Sequence, residues 1–143
     1  MRSMRSVLIG VAVWVAAGCT SIAPVKVNVG DQCERCRRTI ADERMAGEMI
    51  IGGQWVSKFR APGCMAKYIV THGDQQALVF VTDYATGKMI APEAALFVPL
   101  LVDPNTGERD YRAFLQKADA IAAATALKSE AVSWKTVLDR ARS

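Results

Sequence analysis

Histidine is nearly missing from this sequence, with His72 the only one in 143 residues. Paired histidines on a helix, the signature of hydrolytic zinc sites, are therefore excluded. No serine nucleophile elbow and no glycine-rich phosphate loop is present either. The longest apolar run, Val7 to Ala17, is broken only by Gly10 and is about half the ~20 residues a helix needs to cross a bilayer. An excess of one charge is also lacking. Setting aside Arg2 and Arg5, which precede that run, 16 of the 18 basic residues remain against 14 acidic ones. A balance so close to zero excludes a phosphate-binding surface, and with it nucleic acid as a partner. The one dense basic group, Arg35, Arg37 and Arg38, reads as a solvated loop.

What is present is a globular composition, 51% hydrophobic and 22% charged, in a length suited to one domain. Such a chain hides roughly two thirds of its unfolded surface and needs no disulfides to fold. Residues 1 to 18 carry two arginines, the apolar run and Ala16-Ala17-Gly18, which together predict an export signal peptide. Small residues directly before Cys19 resemble a bacterial lipoprotein processing site, in which that cysteine takes lipid and becomes the mature N-terminus. The expectation is a protein held at a membrane surface through Cys19, with none of its fold in hydrocarbon. Residues 19 to 30 are then a tether or a short extended lead-in strand, and 31 to 143 the folded domain.

Along that domain, Met45 to Phe59 predicts a hairpin turning at Gly52-Gly53. Pro62 opens a helix carrying Cys64, Met65, Tyr68 and Ile69 until Gly73 stops it. A buried strand follows over Ala77 to Thr82, with Asp83 as a turn former. The second half repeats the order: a short extended piece over Lys88 to Ala91, an apolar strand over Ala94 to Val102 and a loop over Asp103 to Gly107. Asp110 caps a helix whose stripe is Tyr111, Phe114, Leu115, Ala118, Ile121, Ala122 and Thr125. Ala131 to Val137 is a last strand with a frayed tail. The fold class is therefore α+β, two strand-strand-helix-strand units packed as one compact domain.

The chemistry lies in sulfur. Beyond Cys19 the thiols are Cys33, Cys36 and Cys64, the last followed directly by Met65. Cys-x-x-Cys in an exported chain admits a short disulfide between Cys33 and Cys36, thiol exchange, or a soft metal. Structural zinc wants four ligands, and His72 stands about 12 Å along the helix from Cys64, too far to share an ion. Cu(I) accepts two or three soft donors, which Cys33 and Cys36, closed by Cys64 or Met65, can supply. No catalytic role is assigned to any of them.

Cys33-Glu34-Arg35-Cys36, then Phe59 leading to Gly63-Cys64-Met65, then Asp83-Tyr84-Ala85-Thr86-Gly87-Lys88 with Ala94 to Val98, resembles the NosL family of nitrous oxide reductase accessory lipoproteins. A helix opening at Ala113-Phe114 and a strand around Val132-Ser133-Trp134 extend the likeness over most of residues 31 to 137. The resemblance implies a periplasm-facing, lipid-anchored Cu(I)-binding protein of the bacterial cell envelope. It would deliver copper to nitrous oxide reductase or another exported cuproprotein, together with an ABC-transporter partner. It also implies a fold related to organomercurial lyase. Two other classes stay open: a thiol-disulfide or organomercurial-lyase-like enzyme, and an interaction module with Cys33 and Cys36 joined as a disulfide.

Overall fold

The computed structural model describes residues 21–73 and 76–143. The expected processing site at Cys19 lies outside them. Gly47–Ile51 (β1) and Trp55–Phe59 (β2) form an antiparallel hairpin in which Ile51 faces Trp55. Gly52 and Gly53 both stand at positive φ, as a primed turn requires. Pro62–His72 (α1) follows, and the chain returns as Leu78–Thr82 (β3) on the other edge of β1. Met89–Ile90 (β4) completes a four-stranded sheet of order β2-β1-β3-β4.

The second unit has the same logic. Leu96–Asp103 (β5) pairs with Glu108–Phe114 (β6), Lys117–Ala126 (α2) crosses over, and Val132–Ser133 (β7) adds to the far edge of β5. In each unit the first strand is central, flanked by the second and third. Two antiparallel sheets with three helices among the described residues make the α+β domain that the element order predicts.

Three local expectations are corrected. Asp110 does not begin a helix, because residues 108–114 pair with β5 over almost its whole length. The turn-forming residues between the two strands fold the chain straight back, and ladder hydrogen bonds with β5 override the helical stripe. The strand expected over 131–137 is only two residues long. Ser133 then caps Trp134–Arg142 (α3), its side chain accepting from the Thr136 N–H, so the tail is helix rather than frayed chain. Lys88 to Ala91 contributes β4 to the first sheet, not the second.

One core joins the units. Phe59, Met65 and Val81 from the first pack with Phe97, Trp134 and Val137 from the second, and α1 lies against α3. Asp83 fastens the junction. Its Oδ1 accepts from the Leu115 N–H at 3.1 Å, its Oδ2 from the Thr86 hydroxyl at 2.6 Å, and the Tyr84 N–H donates to Ala113 O. The Asp-Tyr-x-Thr-Gly segment is thus a structural staple between sheets.

Residues 21–30 form no strand, yet Val27 is buried with Ile40 and Ala46. The Val25 N–H donates to Glu48 Oε1 on β1, while Glu48 Oε2 is buried without a partner. Burial holds the Glu48 carboxyl above its usual range, against opposing pulls from that N–H and from Lys58 on the neighbouring strand. The native state therefore keeps this proton to higher pH than the unfolded chain does. Its stabilising effect is present below the ordinary glutamate pKa and fades as pH rises through the raised value. Glu48→Gln should accordingly gain stability relative to the wild type between acid and neutral pH, read from urea melts at both.

Candidate metal centre

The loop before β1 is built to hold one thiol inward. Its ends are joined by a bridge between Gln32 and Thr39, and inside it the Cys33 N–H donates to Arg38 O while the Arg37 N–H donates to Cys33 O. The Glu34 N–H donates to Lys58 O at 2.7 Å, fastening the loop to β2. Cys33 is thereby fully buried beside the start of α1.

Closing this turn puts Arg37 at φ 60°, the left-handed region that costs a side chain about 1–2 kcal/mol. Its ion pair with Glu34 is exposed and offsets little of that. Arg37→Gly should raise stability by about 0.5–1 kcal/mol in a thermal melt without changing metal affinity.

The partner thiol comes from α1. Ala61, at the cap position, makes no side-chain cap bond. Asp110 on β6 supplies one from across the domain, its Oδ1 accepting from the Gly63 N–H at 2.7 Å and from the Tyr111 N–H at 2.8 Å. Asp110 does cap a helix, therefore, but a helix 47 residues earlier in the chain. Gly63 must be small here, since a Cβ would lie 2.8 Å from Asp110 Oδ1.

Held this way, Cys64 Sγ sits 3.5 Å from Cys33 Sγ, and the sulfurs of Cys33, Cys36 and Cys64 all lie within 4.8 Å of one another. All three are free thiols, with Cys36 half-buried at the outer edge. The hydrogen bond shared with Cys64 lowers the Cys33 pKa, opposed by burial and helped by the backbone N–H groups of Cys36 and Arg60. Cys64 is pushed up by the same sharing and by burial. The pair behaves as one unit that gives up its first proton easily and its second reluctantly. A cation between the sulfurs removes that reluctance.

Met65 is fully buried in the same core cluster as Cys33 and Cys64. One residue further round the helix, about 100° from Cys64, its Sδ packs on β1, 3.0 Å from where a Gly47 Cβ would stand. His72 is exposed, stacked on Tyr68 with its Nδ1 3.1 Å from Tyr68 O. It is not in the thiol group.

Around the thiols runs a set of charges drawn from distant parts of the chain. Glu108 on β6 accepts from both terminal nitrogens of Arg38, at 3.0 and 2.7 Å, and also from Arg60. Arg38 in turn is held charged first by Glu108 and then by the Cys36 sulfur beside it. The three thiols could hold a metal ion, and a three-sulfur set suits a soft one. No family model matches this chain, and no curated protein matches it.

Proposed function

We propose that this protein is a lipid-anchored, periplasm-facing Cu(I)-binding accessory protein, similar to the NosL family, that passes copper to an exported cuproprotein such as nitrous oxide reductase. One observation carries the reading: a buried pair of thiols and a third at the surface converge from two parts of the fold. Three thiolates satisfy Cu(I), whereas structural zinc sites take four ligands. Placing two donors inside and one at the edge suits an ion that must be held and then released. The hydrogen bond shared with Cys64 and the backbone N–H groups of Cys36 and Arg60 favour thiolate at Cys33, and so favour metal over proton there. Copper is the cargo here, and no catalytic step is assigned to the thiols.

Anaerobic titration of the reduced protein with Cu(I) against a chromogenic chelator tests this. One Cu(I) per chain should be held in competition with the chelator, with Zn(II) bound far more weakly. A protein that loses all its Cu(I) to the chelator, or that prefers Zn(II), would sink the proposal.

A further inference from the structure

A cavity of about 460 Å³ opens beside Cys64, between α1, β6 and α3. Its walls carry Arg35, Arg38, Arg60, Lys67, Arg109 and Arg140. Arg38 and Arg60 share Glu108, and the Asp110 carboxylate is engaged by two backbone N–H groups. Arg35, Lys67, Arg109 and Arg140 make no ion pair among the described residues, and Glu130 is the one other acidic group on the lining. The Arg60 Nε is buried there with no acceptor. Cations so placed repel one another unless an anion enters. The volume admits a small molecule and not a folded partner.

We propose that this pocket binds a small thiol bearing two or more carboxylates, which are held by Lys67, Arg109, Arg140 and Arg35 while the sulfur reaches the metal at Cys64. The inference rests on the copper reading above and names the ligand that loads or unloads the site. Cu(I) bound by thiolates is an anionic centre, so an anionic thiol approaching it meets repulsion that the cationic walls cancel. Exchange is then a swap of sulfur donors. The incoming thiol forms a Cu–S bond, a cysteine Cu–S bond breaks, and the incoming proton passes to the cysteine released. Copper stays Cu(I), so no electron moves.

The test uses the full chain loaded with Cu(I), following transfer to excess chelator by stopped flow with mercaptosuccinate or 2-mercaptoethanol present. Mercaptosuccinate should accelerate transfer roughly tenfold more than the neutral thiol. That advantage should vanish in about 1 M salt, where the Debye length is about 3 Å, and in Lys67→Gln with Arg140→Gln. Both substitutions are on exposed side chains, and circular dichroism confirms the fold. Equal acceleration by the two thiols, with Cu(I) still bound, would overturn the anion pocket and leave the copper reading intact. A second arm, succinate binding to the metal-free protein followed by NMR, decides the pocket even if Cu(I) is not retained. Binding lost in the double variant supports it, and no binding to the wild type overturns it.

Discussion

Cys64→Ser is expected to weaken Cu(I) binding by more than about 100-fold in chelator competition. Loss of an outer hydrogen-bond partner alone costs a metal site about 10–100-fold, and here a soft donor 3.5 Å from Cys33 Sγ is exchanged for a hard one. Cys33→Ser should do the same, since both thiols are buried and neither can be replaced by a water without rearrangement. Met65→Leu separates this arrangement from one in which the thioether closes the set. Its sulfur packs on Gly47, so the change should leave copper affinity unaltered and cost less than about 1.5 kcal/mol of stability. If Met65→Leu loses copper and Cys64→Ser keeps it, the third donor has been assigned wrongly.

Asp110→Ala should destabilise the fold by about 1–3 kcal/mol, because the N–H groups of Gly63 and Tyr111 lose their shared acceptor. Part of that loss is offset, since burial pushes the Asp110 carboxyl up and its removal relieves a desolvated charge. Asp110→Asn retains the accepting oxygen without the charge and should stay within about 1 kcal/mol of the wild type. The alanine variant should also bind Cu(I) more weakly, because the turn carrying Cys64 is the one that Asp110 holds. Thermal melts and the same chelator competition read both effects. Should Asn fall as far as Ala, the negative charge rather than the acceptor is what α1 needs.

How much of this could be seen in the sequence depends on distance along the chain. The helix from Pro62 to His72 was marked at both ends, by Pro62 at its first position and by Gly73 with φ 80° at its stop. The hairpin was marked by two glycines. Strand β6 carries a misleading signal, because Tyr111, Phe114 and Leu115 fit a helical stripe, while the better signal is the turn-rich loop over 103–107 between two strands. Helix α3 had a legible cap in Ser133 and a stripe in Trp134, Val137, Leu138 and Ala141. Short-range spacing exposed Cys33 and Cys36, but nothing local places Cys64, 31 residues from Cys33, against them. The charge set around Glu108 was out of reach for the same reason, its arginines lying 48 and 70 residues away. Asp83 was readable as a turn former, whereas its hold on Leu115 requires both sheets to be in place.

The sulfur donors all belong to the first unit and the loop before it, while Glu108, Asp110 and Arg140 come from the second. Neither half of the gene product builds the site alone. A substitution in β6 at Asp110 reaches the turn that carries Cys64, and one at Arg35 or Arg60 reaches the cavity wall, so the two units are bound to change together.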